Sequence, residues 1–174
     1  RDAFKDAVIV RPSAVFGRED NFFNLFASIA SFSPALPVFG CPTIPRVKFF
    51  GSTNSLISID LFGDGGTRIQ PVYVSDVAEA IIKILEDKKN NRKIFELGGP
   101  TIYSFKNMME LVLKESERSR ILFPYPFAIA KFFAWFLEFL PKPLMTRDQV
   151  ELLKTDNVVS GAHLGFDHLE IKPA

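Results

Sequence analysis

The run Ala7-Val8-Ile9-Val10 carries no polar break and is stopped by Pro12 just beyond Arg11. A continuous Val/Ile-rich run of this length suits a strand buried on both faces, as in a parallel sheet covered by helices. The sequence therefore predicts a strand over 7–11 and a chain that must also supply crossover helices. Ser13 to Asp20 reads as a loop. Asn21 to Phe32 then reads as a helix with Phe22, Leu25, Phe26 and Ile29 on one face.

Further signals repeat this alternation. Ser33 to Pro45 holds too many prolines for a helix. Two β-like runs follow, Val47-Lys48-Phe49-Phe50 and Leu56-Ile57-Ser58-Ile59, and Gly63-Asp64-Gly65-Gly66 has the composition of a turn. Arg68 to Val74 reads as a strand with Pro71 at an edge or bulge position. Asp76 and Glu79 form a capping-box pattern, which predicts Asp76 as the N-cap of a helix running to about Asp87 with Val77, Ala80, Ile81, Ile84 and Leu85 inside. Lys93 to Leu97 is a strand, Ser104 caps a helix to Glu117, and Arg120 to Phe123 is a short strand. Pro126 to Leu140 reads as a very apolar helix, and Thr146 to Lys154 as a last helix with Thr146 and Gln149 as its box. The expected fold class is α/β: the C-terminal strands of a Rossmann-type parallel sheet plus a smaller α+β lobe. The expected division sets 1–32 and 67–100 in the Rossmann-type domain, 33–66 as a loop with a hairpin-like insert, and 101–174 as the smaller lobe.

Several function classes are excluded or disfavoured by composition. A formal net charge of +1, with both signs spread along the 174 residues, leaves no basic stripe for nucleic acid. Cys41 is the sole cysteine, so neither a disulfide framework nor a thiolate metal cluster is available. His163 and His168, five apart in a Gly-containing tail, are poorly placed as metal ligands. No strand-to-helix turn carries Gly-x-Gly-x-x-Gly. The chain opens on Arg1-Asp2-Ala3-Phe4-Lys5-Asp6 without a leader or initiating Met and runs at once into its first strand, which predicts a start inside a longer protein.

Three segments in order carry a resemblance. They are Val8-Ile9-Val10-Arg11-Pro12-Ser13-Ala14-Val15-Phe16-Gly17, then Thr67-Arg68-Ile69-Gln70-Pro71-Val72-Tyr73-Val74-Ser75-Asp76-Val77-Ala78-Glu79-Ala80-Ile81, then Ile94-Phe95-Glu96-Leu97-Gly98-Gly99-Pro100. Together they resemble the C-terminal half of extended, atypical short-chain dehydrogenase/reductases of the NAD-dependent epimerase/dehydratase type. Within that family the wording is most similar to the accessory NADPH-binding subunits of respiratory complex I and their bacterial relatives. The resemblance extends through Asp148-Gln149-Val150-Glu151-Leu152-Leu153 and covers most of the chain.

The resemblance implies that Pro12, Ser13 and Val15 border the nicotinamide end of NADP(H). This fits the rule that ligands of doubly wound folds sit beyond the carboxyl ends of the strands. It also implies that the strand carrying Arg68 and Gln70 runs along a substrate cleft, where an arginine suits a phosphate or carboxylate. A solvated strand position is the plainer reading of Arg68. Glu19 and Asp20 read as a surface pair, not as paired catalytic carboxylates. The family's phosphate loop and Tyr-x-x-x-Lys pair are not in these 174 residues: Tyr73, Tyr103 and Tyr125 have no lysine four residues on. No residue is therefore assigned a catalytic role, no metal is expected, and tight cofactor binding by this chain alone is not expected. About twenty residues, near Cys41 to Leu61, read as an insertion relative to the family pattern, with β-like runs suggesting an extra hairpin.

Between Phe127 and Leu140 only Lys131 and Glu138 are charged, and they share one narrow stripe two turns apart. At about fifteen residues, roughly 22 Å, this helix is too short for the ~30 Å hydrocarbon layer. It is covered either by its own lobe or by a partner or membrane interface, in which case Phe132, Trp135 and Phe136 are the docking residues and Lys142 and Arg147 suit headgroups. Three functions follow. One is a structural, NADP(H)-holding accessory part of NADH:ubiquinone oxidoreductase, peripheral on the cytoplasmic face of a bacterial inner membrane or on the mitochondrial matrix side. Its partners would be the chain's own N-terminal half, the core subunits and a membrane interface. The second is a fragment of an active NAD(P)-dependent reductase or sugar-nucleotide epimerase. The third is a protein- or membrane-docking lobe.

Overall fold

The computed structural model describes residues 4–42, 46–49, 57–139 and 146–174. In chain order the elements are β1 (Ile9–Pro12), β2 (Val15–Phe16), α1 (Asn21–Phe32), β3 (Ala35–Val38), β4 (Arg46–Phe49), β5 (Ile57–Asp60), β6 (Arg68–Ile69), β7 (Val72–Tyr73), α2 (Val74–Glu86), β8 (Ile94–Leu97), β9 (Tyr103–Ser104), α3 (Phe105–Glu115), β10 (Ile121–Pro124), α4 (Phe127–Leu137) and α5 (Arg147–Leu152). They form two compact units. The first is built from residues 1–22, 69–103 and 157–174, the second from 23–68 and 104–156. The last eighteen residues thus group with the first strand, whereas sequence reading set them in a lobe over 101–174.

In the first unit β1 and β8 lie parallel, with Ile9 opposite Ile94 and Pro12 opposite Leu97. β2 and β7 are also parallel. α2 lays Val77, Ala80 and Ile84 on Phe95 and Leu97, and Phe166, Leu169 and Ile171 from the tail close the same core. The expected parallel sheet with a crossover helix is therefore present. β1 itself is half-buried, not buried on both faces: Val8 and Val10 are only partly covered, because its described strand partner, β8, lies on one edge.

Four local expectations are corrected. The strand expected over 68–74 is split into β6 and β7, since Pro71 has no N–H to carry a ladder bond. The loop after Pro12 contains the short β2. Asp76 is not an N-cap: α2 starts two residues earlier with Tyr73 at the cap and no side-chain cap bond. Asp76 lies in the first turn, where the helix dipole favours a carboxylate, and accepts the Ala174 N–H at 2.8 Å. Ile81 and Leu85, expected inside, are exposed.

The second unit has its own parallel pair, β3 with β10, Ala35 opposite Ile121. β3 lies in the proline-dotted stretch and carries Pro37 within the strand, which an edge position tolerates. α1 keeps the predicted limits and buries Phe26 and Ala30. Phe105 stands edge-on to Phe26 and Phe39, with ring centroids 5.7 and 5.3 Å apart, and Leu36, Met108 and Met109 complete this core. Gly66 is required by close approach: a Cβ there would lie 2.0 Å from the Phe39 carbonyl oxygen, at φ +87°. Arg120 Nε donates to the Ala30 carbonyl at 2.9 Å, giving one of the last carbonyls of α1 a partner.

β4 and β5 pair antiparallel, Arg46 opposite Asp60, which is the extra hairpin the insert suggested; Phe50 and Leu56, expected in its strands, lie outside the described residues. Ser104 caps α3 through the Asn107 N–H, and α5 carries the complete box of Thr146 and Gln149. α4 rests on buried Ala130 and Ala134. Its two charges fasten it to α5: Lys131 pairs with Glu151 at 3.3 Å and Glu138 with Arg147 at 2.9 Å. No helix among the described residues is long and apolar enough to cross a membrane.

Candidate functional site

The carboxyl ends of β1 and β8 lie side by side, because the register carries Pro12 to Leu97 and the Ser13 N–H continues the ladder to the Leu97 carbonyl at 2.9 Å. Pro12 ends β1 and the Gly98-Gly99-Pro100 turn ends β8. Gly99 is dictated by packing: a Cβ there would lie 1.8 Å from the Pro71 carbonyl oxygen. Two depressions open at this end of the first unit. One, about 130 Å³, is lined by Arg11, Pro12, Ser13, Glu96, Asn157 and Val159 among others. The other, about 370 Å³, has Gln70, Glu96, Gly98, Gly99 and His163 in its wall.

Ser13 is only 8% exposed, and its hydroxyl donates to the Asn157 carbonyl at 2.8 Å, with the Asn157 Oδ1 at 3.1 Å. Gln70 meets the same carbonyl through its backbone N–H, at 2.9 Å. The Gln70 side chain spans two segments: Nε2 donates to the Gly99 carbonyl at 2.7 Å, and Oε1 accepts the Val159 N–H at 3.1 Å. The structure thus brings Pro12, Ser13 and Gln70 together around Asn157. Val15, in β2 beside β7, presents an exposed side chain in the same unit. Arg68 belongs to the second unit, where its Nε and backbone N–H both bind the Asp156 carboxylate at 2.8 Å. Those two bonds, the backbone one foremost, hold the Asp156 pKa below its ordinary value.

Glu96, Asn157, Ser160 and His163 were not legible in the sequence as site residues. Glu96 is an isolated acid in a strand, and the other three sit in an aperiodic tail; only the Gly161 and Gly165 punctuation marked that tail as a packed turn. Glu96 Oε2 accepts both the Ser160 N–H and the Ser160 hydroxyl at 2.7 Å, and His163 Nε2 stands 3.9 Å from Oε1. The Ser160 hydroxyl bond, foremost, holds the Glu96 pKa below the usual carboxylate value, so the acid is ionised at neutral pH.

The wall of the smaller depression carries charges of both signs, Arg11 and Glu96, beside a Ser13 hydroxyl and an Asn157 amide that are bonded to each other. No group of three or more His, Cys, Asp or Glu among the described residues could hold a metal ion.

Phe132, Trp135 and Phe136 stand on the face of α4 opposite Ala130 and Ala134, at 58%, 43% and 51% exposure. Their rings stack edge to face, Phe132–Phe136 at 5.0 Å and Trp135–Phe136 at 4.7 Å. Among the described residues its own unit buries Ala130 and Ala134 and partly covers Phe127 and Leu137, leaving these three rings exposed. Lys142 lies outside the described residues.

No family model matches the chain. It is 31% identical over 182 aligned residues to the Arabidopsis thaliana protein named NADH dehydrogenase [ubiquinone] 1 alpha subcomplex subunit 9, mitochondrial, covering 99% of this chain and 40% of that protein. The Mus musculus protein of the same name is 29% identical, again across 99% of this chain and 40% of its own length. The chain thus spans about two fifths of the relatives it matches. Among solved structures, that of gox2253 shares the fold, with a TM-score of 0.51 and 18% identity over 96% of this chain and 44% of that one. Along nearly its whole length the chain is thus similar to two fifths of proteins named as subunit 9 of the mitochondrial NADH dehydrogenase alpha subcomplex, and it shares the fold of gox2253.

Proposed function

We propose that the chain is the C-terminal part of an NADP(H)-holding accessory subunit of NADH:ubiquinone oxidoreductase, with a structural and not a catalytic task. The observation that carries this reading is similarity along 99% of the chain to proteins named as subunits of that enzyme. Within it, Pro12, Ser13 and Val15 border the nicotinamide end of the cofactor at the carboxyl end of β1. Gln70 and Arg68 belong to the substrate side of the crevice, each with its polar groups already tied to neighbours. The phosphates are held by residues outside these 174, since no strand-to-helix turn here has the glycine pattern for them. The aromatic face of α4 docks on the core subunits or at the membrane interface beside them. The subunit is peripheral, on the matrix side of the inner mitochondrial membrane or the equivalent bacterial face.

The test uses the whole parent protein, tagged and expressed in its own cells. It is expected to co-migrate with NADH:ubiquinone oxidoreductase on native gels, and when purified to bind NADPH. Val15→Glu, at an exposed position, is expected to weaken that binding at least tenfold while leaving the melting temperature unchanged. A parent that migrates apart from the respiratory enzyme and ignores NADPH defeats the proposal.

A further inference from the structure

The second unit holds an apolar cavity of about 280 Å³ between α1, the β3–β10 pair and α4. Its space follows from the sizes of the residues around it. Ala35, Ala130 and Ala134 give the wall small side chains, and Leu25 and Ile29 of α1 and Phe133 of α4 give it large ones. The alanines are too short to meet across the gap, so it stays unfilled. Interiors rarely leave such voids, and this one is close to the ~300 Å³ at which small-molecule pockets begin.

The wall is chemically simple. Among the described residues no charged side chain lines it. The Ser33 hydroxyl is spent on Ala35, donating to its carbonyl at 2.7 Å and accepting its N–H at 3.2 Å. Tyr125 is the other polar side chain of the wall, and its hydroxyl has no hydrogen-bond partner among the described residues; burial alone pushes the phenol pKa up. Its ring is held edge-on against Phe39 and Phe123, with centroids 5.6 Å apart in each case. The cavity is thus a hydrocarbon-like slot with one free donor. Phe133 belongs both to this wall and to the exposed ring cluster: it meets Phe132 at 6.0 Å, and Phe132 meets Phe136 at 5.0 Å. The slot therefore continues into the aromatic face of α4.

We propose that this cavity takes one acyl chain of a membrane glycerolipid, with the Tyr125 hydroxyl donating to the chain's ester carbonyl. Three observations select that occupant. An uncharged wall accepts a hydrocarbon chain and rejects a carboxylate or phosphate, which would be buried there without a counter-ion. One unpartnered hydroxyl matches one carbonyl oxygen, whereas a peptide segment would bring several backbone N–H groups and find only the Tyr125 oxygen to receive them. Continuity with a helix face bearing Trp135 and Phe136 sets the mouth at the boundary of headgroups and chains, where lipid esters lie. The proposal rests on the membrane-interface reading of α4 and goes beyond it in assigning a site within the unit.

Photolabelling of the whole parent protein tests it. Phosphatidylcholine vesicles carry a small fraction of the same lipid with a diazirine in one acyl chain, and adducts are mapped by peptide mass spectrometry. They are expected on Leu25 or Ile29 in the cavity wall as well as on the exposed rings Phe132 and Phe136. Ile29→Trp, which fills the cavity, is expected to reduce adducts on Leu25 at least fivefold and to leave those on Phe136 unchanged. Tyr125→Phe keeps the packed ring and is expected to reduce adducts on Leu25 about threefold, the scale of one hydrogen bond; it decides the matter if the tryptophan variant does not fold. The same diazirine chain supplied as a free fatty acid is expected to label Leu25 at least fivefold less than the ester. Equal labelling of Leu25 in the wild type and Tyr125→Phe, or by acid and ester, overturns the proposal. Adducts confined to Phe132 and Phe136 overturn it and leave the membrane-interface reading standing, whereas no adducts at all defeat that reading as well.

Discussion

Glu96 is 12% exposed at the side chain and accepts two bonds from one serine. Its folded pKa is depressed, chiefly by the Ser160 hydroxyl bond. Its contribution to stability is therefore fully present above the ordinary carboxylate pKa and is lost as pH falls through the lower, folded value. Glu96→Gln is expected to cost about 1–2 kcal/mol at pH 7, the scale of hydrogen bonds to a charged group. Urea denaturation should show that difference shrinking in acid, below about pH 4. A difference that stays constant from neutral to acid would contradict the assignment. The position of Ser13 just past a strand was legible because a proline-stopped apolar run fixes where a strand ends. Glu96 and Asn157 were not, because nothing local tells a strand or tail residue which distant segment it will meet.

At the scale of elements, local chemistry and burial part company. The box of Thr146 and Gln149 was readable because both partners lie within one turn, and it forms as expected. Thr146→Ala should therefore destabilise α5 by about 1 kcal/mol, seen as faster amide exchange over 147–152 with α3 unchanged. Asp76 failed by the same kind of pattern, since the helix began earlier than its capping signal and the acid was taken by the chain end. The apolar helix α4 shows the limit of composition: it fixes that a helix is greasy, not which face is covered. Because Phe136 is half exposed and rests mainly on neighbouring rings, Phe136→Glu should lower the melting temperature little. It should nonetheless reduce assembly of the parent with the respiratory enzyme at least fivefold, measured by native-gel co-migration. A collapsed fold would show instead that the face is part of the unit's own core.

At the scale of the whole molecule, the α/β class and parallel pairing were legible because Val/Ile runs alternated with amphipathic helices. The division into units was not, since it depends on where the tail returns. In the proposed reading the chain alone supplies one rim of a dinucleotide crevice, and its sequence carries no Gly-x-Gly-x-x-Gly turn, so calorimetric titration with NADPH is expected to give no binding tighter than about 1 mM, roughly 4 kcal/mol. Low-micromolar affinity would mean that a phosphate site exists within these residues. The first unit is stitched from three stretches, with Leu164 bridging Phe95 and Leu169 and Ile171 in its core. A reading frame that stopped after Asp156 would remove no residue of the second unit, yet it would uncover Phe95 beside the opening strand. Damage to residues 157–174 would be felt at β1 and β8, sixty or more residues earlier in the chain.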